Sequence, residues 1–248
     1  MKRIIYIVLT ALLVACDSEN ANDCFQESGN IVQQEVSLSG FQKILVNRNV
    51  ELILKEGPDY EIIIEAGENL INDVDVIVID NELQLTDNNI CNFVRDYNST
   101  KVFVTAPNIT HIRSSTQFEI SSDGVLSYPS LRLFSEDFNA TGTFTVGDFR
   151  LDVNSERLRI SSNNISSFFI SGQTDELSVN FFSGTGRFQG ENLIAQDVSV
   201  FHRGSNDMIV NPQQSLMGEL RGTGDLISLN TPPSVEIQQF YTGQLFLN

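Results

Sequence analysis

A chain of 248 residues with 41% apolar side chains holds enough hydrophobic material for a continuous core, which argues against a globally disordered polymer. Its 32 acids against 15 Lys and Arg give a net charge of −17. That balance argues against nucleic acid as a partner and against adhesion to anionic lipid by charge, since both need clustered cations.

The chain opens on the basic Met1-Lys2-Arg3, continues through the apolar run Ile4 to Leu13, and reaches the small-residue stretch Leu13-Val14-Ala15-Cys16. The run is too short for a permanent membrane span and reads as an export signal. Removing it leaves 13 cations against 32 acids, a net charge of −19. The stretch ending at Cys16 resembles the lipobox of bacterial lipoproteins. The resemblance implies that residues 1–15 are a lipoprotein signal peptide and that Cys16 is the lipid-attachment residue, several acyl chains together giving a stable anchor. An ordinary signal peptide with an incidental Cys16 is the alternative. The polar Asp17 to Asn22 continues as a tether, so that residues 16–35 form lipidated Cys and spacer.

If acylation uses one of the three thiols, Cys24 and Cys91 are left as an even pair in an exported protein, and a disulfide between them is expected. Two free buried thiols are the alternative. The loop closed would add about 4 kcal/mol on the chain-entropy argument. Neither cysteine has a histidine at metal-ligand spacing, and no cofactor or metal is expected.

From Val36 the pattern alternates apolar and polar with period two. Ile44 and Val46 come first, then Val50, Leu52 and Leu54, then Ile62 and Ile64. Val74 to Ile79 and Leu83-Gln84-Leu85 flank a turn at Asp80-Asn81. Lys101 to Val104, Ile109 to Ile112 and Phe118 to Ile120 follow. Beyond Phe144 the apolar segments are three to five residues long, and Val153, Val179, Val200 and Leu220 suggest a repeat near 20 residues. A period of that size fits a single-domain all-β solenoid over residues 36–248, with two or three short parallel strands per turn and stacked phenyl rows inside. Gly172, Gly184, Gly186, Gly222 and Gly224 fall where corners call for positive φ, and Asn154, Asn163, Asn164 and Asn180 suit the same places. The segment around Cys24 and the tail from Tyr241 are expected to cap the end rungs.

Six stretches carry a family resemblance. They are Val36 to Ile44, Val50 to Gly57, Tyr60 to Leu70, Ser183-Gly184-Thr185-Gly186 onward to Leu193, and Gly222-Thr223-Gly224-Asp225-Leu226, with Thr242 to Leu245 at the end. Together they resemble the "putative auto-transporter adhesin, head GIN domain" family of Gram-negative envelope proteins, from about Val36 to Asn248. The Phe201-His202-Arg203-Gly204 stretch departs from the family's Ser-Gly-Ser-Gly pattern and blurs the rung register there. The resemblance implies a right-handed parallel β-helix-like body and an adhesin-type role.

Other patterns carry less. Gly184 to Gly190 lacks the spacing and following helix of a dinucleotide loop. Asp73, Asp75, Asp80 and Glu82, or Glu136 and Asp137, lack a calcium-loop pattern and read as solvated faces. His111 and His202 have no nucleophile-elbow signature near them. Arg150, Arg157 and Arg159 stand beside Asp148, Asp152 and Glu156 and read as exposed ion pairs. The expected protein is a non-catalytic outer-membrane lipoprotein that contacts the membrane only through its anchor and binds a glycan or an envelope protein. A structural or assembly role and a carbohydrate-active β-helix enzyme are the alternatives.

Overall fold

The computed structural model describes residues 24–89, 91–93, 100–138 and 142–248. The lipobox residues and Cys16 lie outside the described residues. Among those described the chain is all-β, its one helical element a single 3-10 turn at Ile71–Asp73. No helix among them is long and apolar enough to cross a membrane.

The strands are β1 (Ile31–Glu35), β2 (Lys43–Val46), β3 (Glu51–Glu56), β4 (Glu61–Gly67), β5 (Val74–Ile79), β6 (Glu82–Asp87), β7 (Lys101–Ala106), β8 (His111–Ser114), β9 (Ile120–Leu126) and β10 (Ser130–Ser135). Four long strands follow, β11 (Phe149–Ser162), β12 (Ser167–Phe181), β13 (Arg187–His202) and β14 (Met208–Leu220), then β15 (Leu226–Ser228), β16 (Ser234–Gln239) and β17 (Leu245–Leu247). All join one curled, mixed sheet. Two runs of strands converge on β11–β14. The first run goes β1, β4, β7, β3, β9 into the N-terminal halves of β11–β14 and on to β15 and β17. The second goes β5, β6, β2, β8, β10 into their C-terminal halves and on to β16.

β11, β12 and β13 each bend where alternation slips by one. Ser155, Thr174 and Ala195 face inward, two outward positions follow in a row, and Leu158, Leu177 and Val198 resume the buried series. Inside the bend the Ser155 hydroxyl donates to Thr174 Oγ1 at 3.1 Å, which satisfies a buried polar pair. The expected three-to-five-residue strands are therefore fused in pairs across the polar bend into strands of 13 to 16 residues.

Parallel stacking is strict from β11 onward. The register takes Phe149 to Phe168, Phe188, Met208, Leu226 and Leu245, a step of 18 to 20 residues. The period near 20 is present, although Val153 aligns with Gly172 and not with Val179. A wholly parallel stack is not what forms at the N-terminal side, where β1–β4, β4–β7 and β5–β6 pair antiparallel. For β5–β6 the reason is loop length: two residues, Asp80 (φ 49°) and Asn81 (φ 64°), connect them, and a parallel crossover needs many more.

The interior is filled row by row. Phe149 and Phe168 stack at 4.9 Å with planes 10° apart, and Phe168 touches Phe181 at 5.8 Å. At the turns between long strands the Asp side chain of one turn holds the amide of the next: Ser167 N donates to Asp148 Oδ1 at 2.7 Å, and Gln244 N to Asp225 Oδ1 at 2.8 Å. Of the corner glycines only Gly172 and Gly184 have positive φ. Gly222 and Gly224 are required for space, because a Cβ there would overlap the carbonyl oxygens of Gly204 and Asn206 one turn below. Asn154 and Asn180 lie within strands, not corners. The segment at Cys24 and β1 covers the β4 edge, whereas the tail forms β17 itself, paired on one side to β15.

Gly172 (φ 101°) and Gly218 (φ 139°) sit inside β12 and β14, and a Cβ added at either would overlap the neighbouring strand's carbonyl oxygen, that of Val153 or Val200. Gly172→Ala or Gly218→Ala is expected to cost about 1–3 kcal/mol through backbone strain, with further loss from the overlap. Urea unfolding of each variant reads this directly.

Candidate functional site

In a parallel stack, residues that share a register position stand side by side about 4.8 Å apart. One outward row of the second run reads Glu82, Lys43, His111, Arg132, Arg159, Ser178 on β6, β2, β8, β10, β11 and β12. Their neighbours along each strand, among them Leu83, Ile44, Ile112, Leu131 and Leu158, are buried, and this alternation turns the polar residues out. Lys43 and His111 are half-buried, and Arg132 and Arg159 are exposed. Arg157 and Arg113 extend the basic strip to either side. The Arg113 guanidinium lies 4.9 Å from the Phe134 ring centre and donates to Glu136 Oε1 at 2.6 Å. The His111 ring also stacks on Phe134, 5.8 Å away and 6° from parallel. A shallow depression of about 200 Å³ opens between Arg132, Arg157 and Arg159, with Glu176 and Ser178 across it.

Three cations on the first run are matched by an acid, Lys55 by Asp123 at 3.3 Å, Arg150 by Glu119 at 3.2 Å and Lys101 by Glu51 at 3.9 Å, and a fourth, Arg187 on β13, donates to the neutral Asn206 Oδ1 at 3.3 Å. The expected Arg150 pairing with Asp148 or Asp152 does not form, because Asp148 is engaged by the Ser167 amide and Arg150 also covers the Phe169 ring at 4.3 Å. Arg157 does approach Glu156, at 3.8 Å. By contrast, among the described residues no carboxylate oxygen lies within 4 Å of Lys43, Arg132 or Arg159. Burial, reinforced by the Arg132, Lys43 and Arg113 charges, holds the His111 imidazole below its ordinary pKa of 6.5, against a weaker opposing pull from Glu82. His111 is therefore a neutral donor–acceptor in a positive row, with Thr110 Oγ1 at 2.8 Å from Nδ1.

The structure separates the other sequence candidates. Cys24 and Cys91 are joined by a disulfide, and Phe25 beside it packs on Phe93 at 5.7 Å. Among the described residues no three His, Cys, Asp or Glu side chains converge. His202 is fully buried in the inward row between Phe181 and Leu220, with the Gly204 amide donating to its Nδ1 at 3.4 Å. Register thus continues unbroken through the stretch that departs from the repeat. The basic row had a sequence signal of a kind, single cations inside apolar triplets such as Leu131-Arg132-Leu133 and Leu158-Arg159-Ile160. Their convergence depends on pairing β2 with β8, which no local pattern announces.

Burial lowers the pKa of His202, partly offset by the Asn206 carbonyl and by Asp207 and Asp225. The folded protein keeps this ring neutral while the unfolded chain takes up a proton below about pH 6.5, so stability falls as pH drops through that value. The contribution reaches at most about 1.4 kcal/mol per pH unit. In His202→Leu the slope measured by denaturant unfolding between about pH 7.5 and 5 is expected to shrink, leaving the part of the same sign that His111 contributes.

Residues 40–232 match the family described as "Putative auto-transporter adhesin, head GIN domain". The chain belongs to this family. Solved structures share the fold of this head GIN chain. A putative adhesin from Bacteroides fragilis NCTC 9343 superposes with a TM-score of 0.79 at 17% identity, covering 90% of this chain and 99% of that one. A putative adhesin from Parabacteroides distasonis ATCC 8503 gives 0.65 at 12% identity, with 90% and 99% covered. A protein from the same P. distasonis strain named a putative lipid binding protein gives 0.61 at 13% identity, with 89% and 97% covered. No curated protein matches the chain.

Proposed function

We propose that this head GIN protein is a lipid-anchored, non-catalytic module of the outer membrane. Its strands wind as a right-handed parallel β-helix-like coil whose outer face binds a glycan or another envelope protein. The observation that carries the reading is the outward row of cations without acid partners, on a face whose inner side is packed core. Parallel stacking at a step near 20 residues supports the coil, because a rung buries its inward side chains only against neighbouring rungs. Family membership supports an adhesin-type role at the envelope. The lipobox ending at Cys16 supports the anchor.

The test is binding of mature protein to a glycan panel and to envelope extracts, with the bound glycans assayed for new ends. Saturable binding without release of reducing ends or unsaturated sugars is the expected result. Release of either makes the protein a carbohydrate-active enzyme. Co-purification with one fixed envelope protein and no glycan binding makes it an assembly component. The anchor is tested separately: a fatty-acid analogue is expected to label the wild type and not Cys16→Ala, and Cys16→Ala is expected to leave the membrane fraction.

A further inference from the structure

We infer that the row Lys43, His111, Arg132, Arg159 is a subsite for a single polyanionic glycan chain, its acid groups carboxylates, laid across the strands. This rests on the binding role proposed above and names the ligand class. Cations directly opposite one another on neighbouring strands repel, so the Arg132–Arg159 pairing is a cost to the fold with no internal acid to offset it. In a protein of net charge −17, such an uncompensated cluster is complementary to an external anion.

Shape narrows the ligand. The row is one residue wide, with Arg132 and Arg159 about 4.8 Å apart and Lys43 two strands from Arg132 across the neutral His111, about 9.6 Å, which suits an extended polymer with repeated charges. Glu82 closes one end, and Glu176 and Glu136 flank the sides. A bilayer or a nucleic-acid duplex is broad enough to be brought against those acids, whereas one thin chain is not. Beyond Arg159 the row continues into Ser178 and Ser199, and Asn180 donates to Ser178 Oγ at 3.0 Å. These hydroxyl and amide groups match a ligand that carries hydroxyls between its charges. Arginine suits the charges themselves, since its planar fork binds carboxylate in bidentate fashion.

The experiment uses the full mature chain and polygalacturonate as the probe, with fully methyl-esterified polygalacturonate as its uncharged counterpart. The wild type is expected to bind the acid polymer, to lose affinity as salt rises, and to bind the ester at least about tenfold more weakly. Arg132→Ser/Arg159→Ser, both at exposed positions, is expected to lose at least about tenfold in affinity with a thermal midpoint equal to or above that of the wild type, since the repulsion between the two cations is removed. Lys55→Ser/Arg150→Ser removes the same charge from the first run and is expected to bind as the wild type does. Equal loss in both variants, or equal binding of the ester, overturns the subsite while leaving a glycan-binding role standing. No binding to polygalacturonate overturns it too, and failure across the whole glycan panel removes the parent reading as well. Arg132- and Arg159-dependent binding to anionic vesicles or single-stranded DNA in place of the polymer, or a dimer that the double substitution dissociates, also overturns it.

Discussion

Phe168→Ala is expected to lower the unfolding free energy by about 3–5 kcal/mol, the upper range for a single side-chain truncation. Phe168 is fully buried, stacks on Phe149 at 4.9 Å, contacts Phe181 at 5.8 Å and stands in register between Phe149 and Phe188. Truncation removes the aromatic surface and leaves a cavity bounded by hydrogen-bonded strands above and below, which cannot close up without breaking the ladder. Because each rung is buried only by its neighbours, the damage spreads to both sides. Phe168→Leu, which keeps part of the volume, is expected to cost clearly less, and Phe246→Ala, at a position 46% exposed, to stay within about 0.5 kcal/mol. Urea midpoints ranked in any other order contradict the stacked interior.

The second large effect belongs to the disulfide. Cys24 and Cys91 are 67 residues apart, so their bond removes about 4 kcal/mol of chain entropy from the unfolded state. It also keeps Phe25 on Phe93 and delivers the chain into β1, the strand that covers the β4 edge. Cys24→Ser/Cys91→Ser is expected to lose about that amount, and the wild type under dithiothreitol to match it. The loss is expected first in β1 and β4, since β11–β17 make their contacts without this bond. Hydrogen exchange should show Ile31–Glu35 opening while Phe149–Ser162 stays protected. Uniform deprotection along the chain would contradict the assigned role.

Much of this architecture was legible in the residues. Period-two alternation placed many of the strands, though not β1, β10 or β16, Asp80-Asn81 marked the tight hairpin, and the spacing of apolar triplets carried the repeat near 20. Cysteine parity found Cys24 and Cys91. What escaped was whatever depends on long-range pairing. Asn154-Ser155-Glu156-Arg157 looks like a break between two strands and is a bend within one, because outward polar pairs interrupt alternation without interrupting hydrogen bonds. The antiparallel placement of β4 against β7 follows from edges meeting in space. The basic row escaped for the same reason: Lys43 and Arg132 are unremarkable in their own strands and become a site only when β8 lies between them.

Register is thus the premise shared by the core, the bends and the binding row, and disulfide trapping tests it most directly. Ser178 and Ser199 are paired across β12 and β13 on the outward face, at the strand spacing of about 4.8 Å that a disulfide accepts. Ser178→Cys/Ser199→Cys should oxidise readily to a bond mapped by mass spectrometry, whereas Arg159→Cys/Ser199→Cys, two strands apart at about 9.6 Å, should not. Trapping of the second pair in preference to the first would contradict the stacking and, with it, the alignment of Lys43, His111, Arg132 and Arg159.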